Sequence, residues 1–140
     1  MPNSFNSLIE INLWRRDVGK TIVPSHALPQ LEKLQQITIG RCGGLEEVFE
    51  VVSLEGTNKS RTVAKIPNLT QVKLKWVHDL KYLWKSNQWM ALEFPNLTTL
   101  SIDGCENLEH VFTCSMVNSL VQLQDLHISD CKNIKVVVKE

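Results

Sequence analysis

One pattern of apolar residues recurs along this chain and constrains its fold more than any other feature. The stretch LEKLQQITIGRCGGLEEVF, which ends at Phe49, aligns without gaps with FPNLTTLSIDGCENLEHVF, ending at Phe112, and LVQLQDLHISDCKNIKVVV, ending at Val138. All three follow one template: Leu, two residues, aliphatic, one residue, aliphatic, two residues, Cys, two residues, aliphatic, two residues, Val. Such a shared spacing indicates a repeated structural unit.

Two further stretches follow the template less strictly. IPNLTQVKLKWVHDLKYLW has Val77 where the others have Cys, and the opening unit has Arg16 there and Gly19 at the next apolar position. The first leucines of the five units lie between 26 and 35 residues apart: Leu8, Leu34, Leu69, Leu97 and Leu123. This is the leucine-rich-repeat pattern, L-x-x-L-x-L-x-x-N/C-x-L.

The spacing within each unit predicts the fold class. Alternation such as Ile37-x-Ile39 or Leu100-x-Ile102 predicts a short strand with one buried face. Parallel strands need a crossover, which the remaining roughly 20 residues of each unit supply, and neighbouring units must stack to bury their aliphatic side chains. We therefore predict an α/β solenoid, a leucine-rich-repeat horseshoe segment with a parallel β-sheet on its concave face, about five repeats and low helix content.

The units predict a single domain over residues 1–140. The repeats are placed near residues 5–27, 28–52, 66–90, 94–118 and 120–138, and the polar stretch 53–65 is expected to be an exposed loop. The best helix candidate is 115–124, with Ser115 or Asn118 as its cap. Because the last unit ends in an apolar run rather than a polar cap, we expect a fragment of a longer array.

Three of the four cysteines occupy one template position. Cys42, Cys105 and Cys131 follow the predicted strands, where a small buried thiol can bond to the backbone of the turn, whereas Cys114 lies outside the template. Metal binding or a disulfide is the alternative, but stacked units cannot bring all three cysteines to one ion. We therefore predict a structural role for these thiols and no metal site.

The stretch RRDVGKT, residues 15–21, contains the Gly-Lys-Thr that ends a Walker A phosphate loop. That loop requires a glycine five residues before Gly19, where this chain has Trp14. It also requires a strand that leads into a helix, whose N-terminus faces the phosphate. We therefore interpret residues 15–21 as the irregular return segment of the first repeat, and we predict no cofactor.

Charge and hydropathy disfavour two classes of partner. Lys+Arg and Asp+Glu number 15 each, so the chain lacks the basic excess of a nucleic-acid or anionic-membrane binder. No apolar run approaches the roughly 20 residues that span a bilayer. The N-terminus shows no signal peptide, so we expect a cytoplasmic chain in which the sequons at Asn58, Asn68 and Asn96 are unused.

Details of the repeats resemble one family in particular. The units recur with IPNL or FPNL openings, a Cys or Val turn, and L-x-x-V-F or L-K-Y-L-W closings, and one unit continues as LKYLWKSNQW. They resemble the leucine-rich-repeat region of plant nucleotide-binding leucine-rich-repeat disease-resistance proteins of the coiled-coil type, over about Phe5 to Val138. The resemblance implies an intracellular immune receptor whose repeats sense a pathogen effector or a guarded host protein. It also implies contact with the nucleotide-binding domain of the parent receptor, although these residues include neither that domain nor a coiled coil.

The candidate binding surface is the solvent-facing side of the predicted strands. Positions that alternate with the buried aliphatics should face solvent, and strands about 4.8 Å apart would join them into a grid. Lys73 and Lys75 face an acidic end of this grid, and Trp14 is the strongest anchor, since Trp is enriched at binding hot spots. The predicted protein-contacting residues are Glu10, Asn12, Trp14, Lys73, Lys75, Ser101, Asp103, Asp125 and His127.

Three other functions compete with a protein-binding module. Ser101, His127 and Asp125 mimic a Ser-His-Asp set, but a flat strand offers neither an oxyanion hole nor a strained nucleophile turn, so we predict no enzyme and no catalytic residue. An extracellular leucine-rich-repeat receptor domain would need a signal peptide, and its repeats would resemble units that contain a Gly-x-Ile-Pro element. Neither feature occurs in this sequence. A purely structural arm, or a non-functional receptor fragment, is the remaining alternative.

Overall fold

The computed structural model describes residues 7–50, 62–84, 90–134 and 138–139. The predicted loop residues 53–61 and the segments 85–89 and 135–137 lie outside them. The described strands are β1 (Glu10–Trp14), β2 (Thr21–Val23), β3 (Gln36–Gly40), β4 (Glu47–Phe49), β5 (Thr62–Lys65), β6 (Gln71–Lys75), β7 (Tyr82–Trp84), β8 (Met90–Glu93), β9 (Thr99–Asp103), β10 (Phe112–Thr113), β11 (Asp125–Ser129) and β12 (Val138–Lys139). A 3-10 helix spans Ser25–Gln30, and α1 (Cys114–Val117) is a single helical turn.

Five parallel strands form the main sheet, in the order β1-β3-β6-β9-β11. Equivalent template positions pair in register across it: Ile11, Ile37, Val72, Leu100 and Leu126 form one continuous row. The ladder extends to the residue before each strand, where the N–H of Thr98 donates to the carbonyl of Thr70 at 2.9 Å. The predicted parallel solenoid with little helix is therefore confirmed.

The return segments also form parallel strands, which the repeat pattern did not predict. They pair as β2-β4-β7, β5-β8 and β10-β12. The N–H of Lys81 donates to the carbonyl of Glu46 at 2.8 Å, and the N–H of Glu109 donates to the carbonyl of Lys81 at the same distance. Residues 62–65, expected to belong to an exposed loop, instead form β5, because their backbone groups pair with β8 from Thr62↔Met90 to Lys65↔Glu93.

The helix expected at 115–124 is wrong in extent. Only Cys114–Val117 is helical in this stretch, and residues 118–119 and 121–122 form turns. The helix stops because the hydroxyl of Ser119 donates to the carbonyl of Met116 at 2.7 Å and competes with further helical hydrogen bonds. The same hydroxyl accepts from the N–H of Phe94 at 3.3 Å, which ties this turn to the preceding unit.

The apolar template side chains fill the space between the main sheet and the return strands. Leu74, Leu100 and Ile102 are fully buried, and Trp84 lies in this core rather than at its edge. Leu126 occupies the equivalent position on β11, the last strand of the main sheet, yet 46% of it is exposed. The difference shows that each unit's aliphatic side chains are covered by the next unit.

Every main-sheet strand ends in a left-handed turn. The residue after the strand has a φ of 51° to 56° at Arg15, Arg41, Trp76 and Asp130, and of 72° at Gly104. A left-handed conformation costs a residue with a side chain about 1–2 kcal/mol. In the turns after β1, β3, β6 and β9, this residue donates its N–H to a carbonyl of the next unit at 2.8 to 3.0 Å, which offsets the strain. The four pairs are Arg15 to Gly40, Arg41 to Lys75, Trp76 to Asp103 and Gly104 to Ser129.

The template cysteines bond to the same turns, as predicted. The thiol of Cys42 donates to the carbonyl of Gly40 at 3.4 Å, and Cys131 donates to Ser129 at 3.3 Å. Cys105 makes the equivalent, longer contact with Asp103 at 3.9 Å. Burial raises the pKa of the Cys105 thiol to about 12, and a hydrogen bond with the backbone of Val77 lowers this pKa by a smaller amount. Burial also raises the pKa of the Cys131 thiol. Both thiols therefore favour their protonated form.

The raised pKa of Cys105 predicts a loss of stability at alkaline pH. An unfolded thiol ionises near 9.0 and the folded one near 12, so the folded state is progressively disfavoured between these values. We expect the free energy of unfolding, measured by urea denaturation across this range, to fall less steeply in Cys105→Ala than in the unchanged chain. Val77→Ala alters the same template position without a titrating group and should keep the original slope; equal slopes for all three proteins would contradict the assignment.

Candidate functional site

Strand pairing aligns the outward positions of the main sheet in three rows, which together we call the polar face. The rows are Glu10, Gln36, Gln71, Thr99, Asp125; Asn12, Thr38, Lys73, Ser101, His127; and Trp14, Gly40, Lys75, Asp103, Ser129. Every residue predicted to contact a partner lies on this one surface. Their role in binding stays a prediction, because side-chain placement alone does not identify a partner.

Charge is distributed unevenly over the polar face. Lys73 and Lys75 are both exposed on the central strand β6. Lys75 lies beside Asp103 in the register, but neither lysine forms an ion pair within the described residues, and the carboxylate of Asp103 instead accepts from the hydroxyl of Ser129 at 2.9 Å. Two ammonium groups are therefore available to an incoming carboxylate.

The Ser-His-Asp set does not assemble into a triad. Ser101 and His127 are register neighbours on β9 and β11, and Asp125 lies two positions before His127 on the same face. No hydrogen bond joins these three side chains within the described residues, and His127 and Asp125 are both exposed. A working triad needs the imidazole to bridge the hydroxyl and the carboxylate, and these three side chains are not joined in that way.

Two tryptophans lie flat against glycines of the neighbouring unit. A methyl group at Gly40 would overlap the ring of Trp14, and one at Gly104 would overlap the ring of Trp76. Trp14 is 48% exposed and Trp76 36% exposed, so each indole has one packed side and one side open to solvent. Trp14 is therefore a fixed platform rather than a freely projecting anchor, and Trp76 is a second platform that the sequence analysis missed.

The turns after β1, β3 and β6 make a second surface, which we call the turn edge. It contains two adjoining depressions that share Arg41 and Gly43. One, of about 390 Å³, is lined by Arg15, Arg16, Asp17 and Gly44 besides the shared residues. The other, of about 180 Å³, is lined by Trp76, His78, Asp79 and Cys42 with them.

The Gly-Lys-Thr stretch contributes to a strand and not to a phosphate loop. Gly19 has a φ of 78°, and Thr21 begins β2, with its hydroxyl donating to the carboxylate of Glu47 at 2.9 Å. The carbonyl of Lys20 accepts the N–H of Glu46 at 3.0 Å. A phosphate loop would need these residues to open a helix, and they open a strand instead.

Among the described residues, no group of three or more His, Cys, Asp or Glu side chains is arranged to hold a metal ion. The three template cysteines are separated along the stack, each bonded to its own turn.

No helix in the described part of the chain is long and apolar enough to cross a membrane.

Comparison with protein families agrees with the repeat template. Residues 1–132 match the family described as plant disease resistance protein RPS2-like, leucine-rich repeats. This chain belongs to that family. Comparisons with curated proteins and with solved structures found no match. Leucine-rich-repeat solenoids of this kind are typically protein-interaction modules, so family membership directs attention to the exposed surfaces of the stack.

In this member of the RPS2-like repeat family, the sequence signal for Trp76 lay in the glycines. Gly104 follows β9 at the template position that Trp76 occupies after β6, and Gly40 ends β3 where Trp14 ends β1. A glycine one unit after a tryptophan at the same template position indicates that the ring lies on the neighbouring backbone. The left-handed turns at Arg15 and Arg41 left no such signal, because arginine has no preference for that conformation.

The Trp76 platform predicts a large effect of a small substitution at Gly104. Gly104→Ala adds a methyl group at a φ of 72° and into the Trp76 ring, so we expect the free energy of unfolding to fall by about 2 kcal/mol or more. Gly19→Ala is the matched control, since Gly19 has a similar φ of 78° and nothing lies within 4 Å of its added methyl, so it should lose only the roughly 1–2 kcal/mol of the left-handed conformation and less than Gly104→Ala. Urea denaturation measures both, and equal losses would contradict the packing of Trp76 on Gly104.

Proposed function

We propose that this chain is the protein-interaction segment of an intracellular plant immune receptor. In this proposal the five main-sheet strands belong to five repeats, the stack curves as a horseshoe, and the polar face is its concave side. Membership of the RPS2-like leucine-rich-repeat family supports an interaction module in plant defence. The proposed location is the cytoplasm, and the proposed activity is recognition rather than catalysis.

The observation that carries the proposal is the pair of exposed lysines at the centre of the polar face. Lys73 and Lys75 lie on β6, the middle strand of the main sheet, and the flanking strands present hydroxyl, amide and carboxylate groups. Neither ammonium group is neutralised by a neighbouring carboxylate within the described residues. A surface with separated charges suits electrostatic selection of a partner protein, which needs complementary rather than merely apolar contact.

Two classes of partner fit such a segment. The first is a pathogen effector, or a guarded host protein altered by one, which would bind across the polar face. The second is the nucleotide-binding domain of the parent receptor, which the repeats would hold in its inactive state. Glu10, Asn12, Trp14, Ser101, Asp103, Asp125 and His127 are the further proposed contacts.

Reversing the two central charges tests this function. The double variant Lys73→Glu with Lys75→Glu should bind a captured partner at least about tenfold more weakly, because like charges replace complementary ones. Partners would be captured from extracts of infected leaf tissue, purified, and titrated calorimetrically against each variant. The melting temperature should not change, because both side chains are exposed and unpaired within the described residues.

A matched charge reversal elsewhere gives the control. Lys33→Glu with Lys65→Glu makes the same change in net charge at exposed positions outside the polar face. This variant should keep the partner affinity of the unchanged chain. If the partner binds all three proteins equally, the polar face is not the recognition surface.

A further inference from the structure

The turn edge carries three arginines against the two carboxylates of Asp17 and Asp79, which leaves it one positive charge in excess. Arg15, Arg16 and Arg41 are all exposed there, and none of them forms a hydrogen bond or ion pair through its side chain within the described residues. The two carboxylates in the same depressions keep their negative charge, but both accept backbone N–H groups rather than pairing with an arginine. Asp17 accepts the N–H of Gly19 at 3.4 Å, and Asp79 accepts the N–H of Gly44 at 2.9 Å.

Guanidinium groups favour two kinds of anionic ligand, carboxylates and phosphates. They are planar, weakly hydrated and matched to the two oxygens of a carboxylate, so they are suited to ion pairs at interfaces. Three of them line one open depression, and Arg41 also lines the next. Along the same edge the charge then changes sign, because the equivalent turns of β9 and β11 carry Gly104 and Asp130.

Aromatic surface lies at both sides of these arginines. Trp14 directly precedes Arg15, and Trp76 lines the smaller depression together with Arg41. Each indole is held against a neighbouring glycine and keeps one side open. Tryptophan and arginine are the side chains most enriched at binding hot spots, and a fixed ring loses little entropy when it is covered.

The backbone from which these side chains project is fixed before any ligand arrives. Arg15, Arg41 and Trp76 all have left-handed φ values, 56°, 51° and 55°, where a glycine would fit without strain. Each is anchored by its N–H to a carbonyl of the next unit.

We propose that the turn edge binds an acidic segment of a partner protein, with its carboxylates on Arg15, Arg16 and Arg41 and an apolar side chain on Trp76. Nucleic acid is the less favoured ligand, because the chain as a whole has a net charge of zero and the equivalent turn after β11 carries the acidic residue Asp130. The turn edge adjoins the polar face at Trp14, but its three arginines lie outside the rows of that face. The inference does not depend on the lysines proposed above, and the two can fail separately.

The experiment uses fluorescence anisotropy with a defined probe. The probe is a short fluorescein-labelled peptide of aspartate, glutamate and leucine, titrated with the whole 140-residue chain at low ionic strength. A peptide with asparagine and glutamine in place of the acids is its control. The acidic peptide should bind, its affinity should fall as salt screens the charges, and the neutral peptide should bind at least about tenfold more weakly.

Variants locate the binding on the molecule. Arg15→Glu with Arg41→Glu should weaken the acidic peptide at least about tenfold, whereas Lys33→Glu with Lys65→Glu, with the same net charge, should change its affinity less than about twofold. Trp76→Gly suits the left-handed backbone and removes the ring, so it should weaken the peptide while circular dichroism stays unchanged.

Four results would overturn the proposal. The first is that the acidic peptide does not bind the unchanged chain, and the second is that Arg15→Glu with Arg41→Glu loses no more affinity than Lys33→Glu with Lys65→Glu. The third is that Lys73→Glu with Lys75→Glu loses more affinity than the turn-edge variant. The fourth is that a single-stranded oligonucleotide binds the unchanged chain more tightly than the acidic peptide does. The third result would place anion binding on the polar face and leave the function proposed above intact.

Discussion

The pairing of each unit with the next is the interaction on which the rest of the structure depends. No unit contains enough apolar surface to enclose its own aliphatic side chains, and the difference between Leu100, which is fully buried, and Leu126, which is 46% exposed, shows what the neighbour supplies. The same neighbour satisfies the backbone at the strand, at the turn and in the return segment. Each unit therefore depends on its neighbour both for the burial of its aliphatic side chains and for backbone hydrogen bonds.

Both candidate surfaces follow from this pairing. An in-register parallel sheet buries one set of alternate positions and aligns the other set in rows, which makes the polar face continuous across five strands. The turn that ends each strand must return the chain while its N–H reaches the next unit, and this requirement repeats one left-handed residue per unit. Arg15, Arg41 and Trp76 occupy that position, so the stacking that stabilises the fold also aligns the turn edge.

The sequence predicted the parts of the fold that repeat and missed those that do not. The strand positions and the role of Cys42, Cys105 and Cys131 followed from the template, because each is imposed in unit after unit. The return strands were not predicted, because segments such as Thr21–Val23 are too short to show an alternation of apolar and polar residues. Strand β5 was not predicted because it lies within a polar stretch of the sequence. For the surfaces, the rows of the polar face could be read from the template, but the turn edge could not, because its arginines come together only through stacking.

If the units stabilise one another, a charge buried in one unit should disturb its neighbours, and hydrogen–deuterium exchange of the backbone amides measures this. Leu74→Asp places a charge in the fully buried side of β6, whereas Lys73→Asp places one on the exposed side of the same strand. Mutual stabilisation predicts that Leu74→Asp removes protection from β3 and β9 as well as from β6, and that Lys73→Asp leaves all three protected. Protection lost in β6 alone, with β3 and β9 unaffected, would contradict it.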